Sequence, residues 1–327
     1  MTRPHRPIPA WIPVFSLLTV GVSVSSTASA QEVVSAAQAG AGGASLADPR
    51  DNSEVTLNPA NVSLIPRYDV QAQFTGGPTG DLRWNASAVD GRTSKFLSFG
   101  VAYHGGVVAP AFHPVELPGW APTGEALRNR KQTHDITVAL SAPFVDRKVA
   151  VGLNGTLMIF DGEYVGKGVS GNVDVGFSAR PIEFFSVGLV GKNLLPIKDQ
   201  AEIPAAIGLG VRGGKDNLFV GMVDFNTRLE QVAGSRFDVS AGIQGTIKEL
   251  VDLRGGYAWD GDINRHAVTW GLGLHSKVGG IDYGMRIPVF KDAWTIAEAT
   301  HYVALTIFTN FGDEKAEEQP IRWPGDR

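Results

Sequence analysis

The sequence contains no cysteine among its 327 residues. This absence excludes disulfide bonds, thiolate metal ligands, cysteine nucleophiles and a lipid anchor attached to cysteine. The charge is also small: 29 basic and 33 acidic residues leave a formal net charge of −4, so the balance gives no indication of a nucleic-acid partner. Glycine, in contrast, is abundant, with 40 residues and no collagen period. Abundant glycine is typical of strands that bend or that lie very close to another backbone.

The first 30 residues have the features of a secretory signal peptide. Arg3 and Arg6 form a short basic region, Trp11–Val24 is apolar, and Ala28-Ser29-Ala30 has the small-x-small pattern of a cleavage site. The alternative is an N-terminal membrane anchor, but this apolar run is shorter than the ~20 residues of a membrane-spanning helix. We therefore predict that residues 1–30 are a signal peptide that is removed on export.

Long apolar runs are absent after residue 31, because glycine, aspartate, asparagine or arginine interrupts each of them. In lipid, only helices and closed β-barrels satisfy every backbone hydrogen-bonding group. A membrane-spanning structure of this chain would therefore be a barrel.

From Tyr68 onward, apolar and small or polar residues alternate with a period of two, as in Leu97 to His104 and Val268 to Leu274. Fourteen such segments are long enough to cross a membrane as tilted strands, and bacterial outer-membrane barrels have an even number of strands. The predicted strands lie near residues 68–76, 81–91, 95–105, 132–144, 147–159, 171–181, 183–193, 203–213, 216–228, 235–247, 249–260, 265–277, 280–289 and 299–311. The sequence thus predicts a fourteen-stranded antiparallel transmembrane β-barrel over residues 68–311.

The lengths of the predicted connections support this assignment. Connections after even-numbered strands are tight, whereas those after odd-numbered strands are mostly longer, the first hairpin being a short exception. Outer-membrane barrels have this asymmetry, with short periplasmic turns and longer outer loops. The longer predicted loops are 106–131, 160–170, 194–202, 229–234 and 290–298. The pattern predicts that both ends of the barrel lie in the periplasm and that residues 312–327 form a charged periplasmic tail.

Charged residues within the strands fall in the phase of the small residues. Arg or Lys facing lipid at mid-bilayer costs ~2–4 kcal/mol, so we expect this phase to face the lumen. The predicted lumen-facing polar residues are Arg83, His104, Asp135, Asp174, Arg180, Lys192, Arg212, Asp224, Asp238, Asp252, Arg254, His275, Asp282 and Arg286. A selectivity role and a structural network both fit, but the presence of both signs favours internal pairing. The two histidines are interpreted as ordinary hydrogen-bonded interior residues.

Residues 31–67 are rich in alanine and glycine and lack alternation. They contain Gly40-Ala41-Gly42-Gly43-Ala44, Ala47-Asp48 and Asn58-Pro59-Ala60 shortly before the first strand. The segment could be a periplasmic tail or a plug, and a plug is physically useful because fourteen strands enclose more space than side chains alone can fill.

This order of motifs resembles the N-terminal hatch of FadL-type outer-membrane transporters. The resemblance implies a fourteen-stranded barrel closed by a hatch over residues 31–67, through which hydrophobic small molecules such as long-chain fatty acids pass by diffusion. It assigns Gly40, Gly42, Gly43, Asn58, Pro59 and Ala60 to the hatch. PorV-type barrels, which act as partner platforms in protein secretion, have a similar start, and a general porin is a third hypothesis.

Two loops are candidates for capturing a hydrophobic ligand. The longest loop contains Phe112, Val115, Leu117 and Trp120, and Trp294 with Ile296 would form a second wall. The alternative is that the long loop packs on itself over the barrel mouth. The chain is short for a FadL-type transporter, whose outer loops are usually larger, and it continues past Phe311, where many barrels end.

Two motifs are set aside. Gly208-Leu209-Gly210-Val211-Arg212-Gly213 matches the dinucleotide pattern, but it lies within an alternating strand and is followed by no helix. Asp260-Gly261-Asp262-Ile263-Asn264 resembles the start of a calcium loop but lacks its glycine and closing glutamate, so we expect a polar outer hairpin, with lipopolysaccharide as a candidate contact.

Catalysis is not predicted, because the histidines are scattered and form no nucleophile–base pattern. We also predict no cofactor and no metal site. The expected partners are membrane lipid and a hydrophobic small molecule, and the expected location is the outer membrane. The sequence gives no oligomeric state.

Overall fold

A computed structural model describes residues 34–77, 82–108, 131–162, 166–195, 205–229, 236–261, 264–290, 293–294 and 299–308. All of these belong to one compact unit, residues 33–327. The predicted signal peptide, the tail 312–327 and the long loop after residue 108 lie outside the described residues.

Fourteen strands within the described residues form one antiparallel sheet that closes on itself. They are β1 (Tyr68–Gly76), β2 (Leu82–Asp90), β3 (Ser98–Val108), β4 (Lys131–Phe144), β5 (Val149–Gly162), β6 (Gly166–Ile182), β7 (Phe185–Lys192), β8 (Ala206–Lys215), β9 (Phe219–Arg228), β10 (Arg236–Ile247), β11 (Val251–Asp260), β12 (Arg265–His275), β13 (Gly279–Phe290) and β15 (Thr300–Phe308). Each strand pairs with the next, and β15 closes the ring by pairing with both β13 and β1. A further strand, β14 (Ala293–Trp294), pairs only with the end of β13. The predicted fourteen-stranded barrel is confirmed.

Three short helices precede the barrel: α1 (Ala36–Gly40), α2 (Glu54–Leu57) and a 3-10 helix (Pro59–Ser63). Ser35 and Gln38 form a capping box at the start of α1, which satisfies two backbone N–H groups there. None of the helices in the described part of the chain is long and apolar enough to cross a membrane.

The two faces of the sheet differ in chemistry as predicted. In β5 the side chains of Val151 and Leu153 are 44% and 48% exposed, whereas Ala150 and Asn154 are almost completely buried inside the barrel. The same alternation continues around the barrel, so that large apolar residues form an exposed outer belt. A patch of this extent is far larger than those on soluble monomers, and it is stable only against lipid. Of the charged residues assigned to the lumen, Asp174, Arg212, Asp224, Asp252, Arg254 and Asp282 are buried on the inner face.

Tyrosine–histidine pairs mark one rim of this outer belt. In each pair the tyrosine hydroxyl contacts histidine Nδ1 across two neighbouring strands that a loop after an odd-numbered strand connects. The pairs are Tyr103–His134 (2.8 Å), Tyr283–His301 (2.7 Å) and Tyr257–His266. Amphipathic rings of this kind are typical of the membrane–water boundary. We call this rim the loop end of the barrel and the opposite rim the turn end.

Most connections at the turn end are short, with 145–148, 183–184, 216–218, 248–250 and 276–278 joining consecutive strands. The connection between β2 and β3, residues 91–97, is longer than the tight turn predicted there. One predicted loop is wrong: residues 160–170 are mostly strand, not a long loop. The β5–β6 ladder continues to the pair Gly162–Gly166, and Lys167 Nζ lies 3.3 Å from Asp161 Oδ2 across it. The ladder extends because backbone pairing between the two strands needs no apolar side chain.

A charge placed on the lipid face tests the assignment of this face. Leu153 lies near mid-height of β5, so Leu153→Arg should destabilise the barrel by ~2–4 kcal/mol, whereas Leu218→Arg, at the turn end, should cost ~0–1 kcal/mol. Urea unfolding of the purified protein in lipid bilayers measures both. Equal costs for the two variants would contradict the proposed lipid-facing belt.

Candidate functional site in the barrel lumen

Residues 34–67, which we call the N-terminal segment, lie against the inner face of the barrel. Their first part is bound from two sides. Ala36 N donates to Gln73 Oε1 of β1 at 2.8 Å, and Gly42 N donates to Thr269 Oγ1 of β12 at 2.8 Å. Thr269 Oγ1 in turn donates to Gly40 O at 2.9 Å. The wall therefore satisfies backbone groups of the segment that have no helix or sheet partner.

The middle of the segment is held by other strands. Asp224 of β9 accepts hydrogen bonds from the backbone N–H groups of Ser45 (2.5 Å) and Leu46 (2.9 Å). Ser186 Oγ of β7 donates to Ala47 O at 2.6 Å. On the other side of the barrel, Asn154 Nδ2 of β5 donates to Val55 O at 3.0 Å. Polar side chains of widely separated strands therefore fix the path of one irregular chain across the lumen.

Asn58 joins two parts of the segment to the wall. It is completely buried, and its Nδ2 donates to Leu46 O at 2.8 Å and to Ser178 Oγ of β6 at 3.0 Å. Its Oδ1 accepts from Ala60 N at 3.3 Å, which caps the 3-10 helix that begins at Pro59. The asparagine acts as both donor and acceptor, so an aspartate or leucine could not replace it.

Glycines of the wall allow the segment to approach closely. A Cβ atom on Gly152 would lie 2.3 Å from Ala60 N, and one on Gly188 would lie 1.9 Å from Leu46 O. Other wall glycines that lie within contact distance of the segment are Gly100, Gly176, Gly208, Gly210, Gly242, Gly256, Gly271 and Gly284. Gly208 and Gly210 belong to the motif that resembled a dinucleotide loop, so its interpretation as part of a strand, β8, is confirmed.

Gly42 and Gly43 are the two glycines of the segment with a left-handed backbone, at φ of +77° and +87°. A Cβ on Gly42 would also lie 2.3 Å from Ala241 O of β10. The turn after α1 is thus limited to glycine at this position by both conformation and space.

A buried ion-pair cluster lies where the segment enters β1. Arg67 Nη2 is 3.2 Å from Glu54 Oε2, and its Nε is 3.1 Å from Asp69 Oδ2. Its Nη1 donates to Pro49 O at 2.8 Å. Burial raises the pKa of Glu54 well above its ordinary value, and the attraction of Arg67 opposes this shift only in part.

A second cluster crosses the turn end between the segment and the wall. Arg50 makes a bidentate pair with Asp48, with distances of 2.8 Å and 2.7 Å. Arg212 Nε lies 3.4 Å from Asp48, and Asp216 pairs with both Arg212 and Arg180. Burial alone would raise the pKa of Asp48, but the charge and hydrogen bonds of Arg50, with Arg212, hold it below the ordinary range.

A third cluster lies on β10–β13 at the same end of the lumen. Arg254 contacts Asp252 at 2.7 Å and Asp282 at 2.6 Å, and its Nε donates to Gln244 Oε1 at 3.0 Å. His275 Nε2 lies 3.3 Å from Asp252 and 3.2 Å from Asp282. Opposite charges thus pair within the lumen, which is the arrangement of a structural network.

The structure places most of the predicted site residues. Gly40, Gly42, Gly43, Asn58, Pro59 and Ala60 belong to the segment, and His104, Asp174, Arg180, Arg212, Asp252, Arg254 and Arg286 belong to inner-face positions. Phe112, Val115, Leu117, Trp120 and Ile296 lie outside the described residues. The backbone of Trp294 pairs with Val289 in β14.

Two inner-face residues, His104 and Asp174, differ in their pairing. His104 is buried on the inner face, and its Nε2 has no hydrogen-bond partner among the described residues. Asp174, in contrast, accepts from Asn193 N at 2.7 Å. Sequence reasoning also missed Gln73, Thr269 and Ser178. Their uncharged polar side chains gave no signal, because their function depends on contacts with a segment distant in sequence.

No group of three or more metal-ligating side chains occurs within the described ranges. Asp262 and Ile263 of the polar hairpin lie outside these ranges.

No protein-family model matches the chain, and no curated protein matches it by sequence. Solved structures do match. A FadL homologue of Pseudomonas aeruginosa has a TM-score of 0.63 at 12% identity, over 85% of this chain and 98% of that chain. The toluene transporter TodX of Pseudomonas putida has a TM-score of 0.60 at 12% identity, over 85% and 97%. The toluene transporter TbuX of Ralstonia pickettii has a TM-score of 0.59 at 11% identity, over 85% and 97%.

The chain is thus a transmembrane β-barrel. Its particular architecture is that of the FadL-type transporters, and the resemblance found in the sequence is confirmed at the level of the fold.

The glycine contacts can be tested within one strand. Gly152→Ala would place a methyl group against the Pro59–Ala60 backbone, whereas Gly155→Ala faces open space on the outside of β5. We expect trypsin to cleave the segment at Arg50 or Arg67 about tenfold faster in Gly152→Ala, since a loss of ~1.4 kcal/mol multiplies the population of the displaced state by ten. Gly155→Ala should behave as wild type. Equal cleavage of both variants would show that the close contact has no influence.

Glu54 should make the docking of the segment depend on pH. A carboxyl with a raised folded-state pKa stabilises the docked state below its ordinary pKa of 4.5 and loses this contribution as pH rises through the folded value. Hydrogen exchange of the segment should therefore show protection that falls above pH 4.5 by up to ~1.4 kcal/mol per pH unit. Glu54→Gln should abolish this slope, whereas Glu183→Gln, in an exposed turn, should retain it. The pKa of Asp48 is lowered, so its carboxylate stabilises the docked state above its ordinary pKa of 3.8, and this contribution is lost as the pH falls below that value.

Proposed function

We propose that this protein is an outer-membrane channel for hydrophobic small molecules, in which cargo diffuses down its gradient and the N-terminal segment acts as the gate. One observation carries the proposal: a lipid-facing barrel whose lumen contains a segment bound to its wall but not part of its ladder. The barrels of similar fold include proteins described as toluene transporters and a FadL homologue. A predicted signal peptide and a closed barrel both support export to the outer membrane.

A gate must move without unfolding its barrel, and the contacts of the segment allow this. Its bonds to the wall are made through side chains, such as those of Gln73, Asn154, Ser186 and Asp224, while the fourteen strands close without it. Displacing the segment therefore breaks no strand–strand hydrogen bond. Opening can then cost far less than unfolding, which is the condition for a local transition.

The proposal also names the cargo, the residues that capture it and the lipid contacts of the barrel. Long-chain fatty acid-like molecules are the proposed cargo, and the proposed capture groove consists of Phe112, Val115, Leu117, Trp120, Trp294 and Ile296. Membrane lipid surrounds the barrel, and lipopolysaccharide is the proposed contact of the hairpin at 260–264. We assign no catalytic step to the protein.

A disulfide that locks the segment provides the test. An ideal Cβ on Gly100 of β3 lies 3.6 Å from Val55 Cβ, within the range that a disulfide spans. The chain has no other cysteine, so Val55→Cys with Gly100→Cys can form only this internal bond. In vesicles loaded with a fatty-acid-binding fluorescent protein, we expect oxidation to slow oleate entry about tenfold or more, and a reductant to restore it.

The single variants Val55→Cys and Gly100→Cys, treated with the same oxidant, are the matched controls. Oleate entry that is equal in protein-free and protein-containing vesicles would overturn the transport function. Entry that continues unchanged in the locked variant would leave a channel but overturn the gate. Steady ion conductance of the wild type in planar bilayers would identify a general porin, and co-purification with a secretion complex in place of flux would identify a partner platform.

A further inference from the structure

A group of polar side chains on the inner face of β1–β3 has atoms without hydrogen-bond partners. Gln71, Asn85, Ser87 and His104 are 4%, 6%, 4% and 6% exposed. Their unpartnered atoms are Gln71 Oε1, Asn85 Oδ1 and Nδ2, Ser87 Oγ and His104 Nε2. Most buried polar atoms in proteins are paired, and each unpaired one costs about 1–3 kcal/mol. Unpaired buried atoms also occur elsewhere on the described inner face, but these four residues on three neighbouring strands carry five of them.

The register of the strands brings these four residues together. Gln71 lies directly opposite Ser87, and Asn85 lies directly opposite His104. All four belong to the lumen-facing phase, where directly opposed residues have Cβ atoms about 4.5–5.5 Å apart. We call these four residues the polar patch. It offers both donors and acceptors, and the carboxylate of Asp135 on β4 lies directly opposite His104 on the side away from Asn85.

The N-terminal segment flanks the polar patch on two sides. Gln73, opposite Asn85 in the ladder, holds the start of the segment by accepting from Ala36 N and donating to Val34 O at 2.9 Å. Toward the turn end, Val55 packs with Val89 and Ala102, each two residues from a member of the patch. A movement of the segment would therefore change the surroundings of the patch.

The position of the polar patch beside the proposed gate suits it to contact a ligand that passes the gate. We infer that the polar patch binds the single hydrogen-bonding group of an otherwise apolar ligand once the segment has shifted, so that hydroxylated or carboxylated molecules are selected over pure hydrocarbons. This inference rests on the proposed function and narrows its substrate class. A pure hydrocarbon would leave every patch atom unpaired, and sites built to bind a polar group discriminate strongly against ligands that lack it.

A pair of fluorescent probes that differ by one hydroxyl tests the inference. Purified protein in detergent should bind 2-naphthol at least about tenfold more tightly than naphthalene, a factor that one buried hydrogen bond supplies. Asn85→Leu and His104→Phe should each reduce this preference to about threefold or less while retaining affinity for naphthalene. The mobility of the folded barrel on a gel verifies folding of each variant.

The matched control is Ser98→Ala. Ser98 also lies on the inner face of β3 with a buried unpartnered hydroxyl, but toward the turn end, six residues before His104. Its variant should keep the full preference for 2-naphthol. The oxidised Val55→Cys, Gly100→Cys protein should lose binding of 2-naphthol, because the segment can no longer shift.

The outcomes separate the inference from the proposed function. Equal affinity of the wild type for both probes, or a preference that survives in both patch variants, would overturn the polar patch as a ligand site while a hydrophobic channel stands. Failure to bind either probe, together with absent oleate flux, would overturn both. Preserved 2-naphthol binding in the oxidised double variant would overturn the requirement for segment movement.

Discussion

Closure of the sheet is the constraint on which the rest of the structure depends. Each strand in lipid must satisfy its backbone groups through its two neighbours, and an open edge would leave a row of them unpaired. The last strand meets this requirement by pairing with both β13 and β1. Once the ring is closed, the period of two assigns each side chain to lipid or lumen, and the charged residues have only the lumen available.

Closure of fourteen strands creates a lumen that side chains alone do not fill. The N-terminal segment lies in this lumen and is held there by two kinds of contact. Wall glycines such as Gly152 and Gly188 remove side chains where the segment backbone touches the wall. Polar side chains such as Asn154 and Asp224 supply hydrogen bonds to a backbone that has few internal ones. The high glycine content thus serves internal packing at least as much as strand curvature. At the turn end, the clusters around Arg67, Arg212 and Arg254 add buried ion pairs between and along these elements.

The polar patch differs from these clusters in how its side chains are paired. Elsewhere in the described lumen many buried groups are paired, and Gln73 uses both ends of its amide to hold the segment. Its cross-strand neighbour Asn85 has neither amide atom paired. The difference lies in what the segment contacts, because the segment begins at Gln73 and returns at Val55 but makes no hydrogen bond to Asn85. At these two neighbouring residues, the path of the segment decides which amide group is paired.

Much of the architecture was predictable from the chain alone. Alternation identified all fourteen strands, because lipid and lumen impose opposite chemistry on successive residues. The same alternation assigns Arg212 and Asp282 to the inner face, where both are buried. The motif around Asn58-Pro59-Ala60 indicated the family resemblance. Where the prediction was wrong, at residues 160–170, backbone pairing extended a ladder beyond the point at which the apolar pattern stops, since pairing between strands needs no apolar side chain.

The tertiary structure decided the contacts. The sequence by itself determined a closed barrel, its two faces and a distinct N-terminal segment, since these follow from the period of side chains and from the solvent on each side. Only the three-dimensional arrangement brought Thr269 to Gly40, Asn154 to Val55 and Asn85 to His104. Strand register and the path of an irregular segment determine these contacts, and neither produces a periodic pattern in the amino-acid sequence.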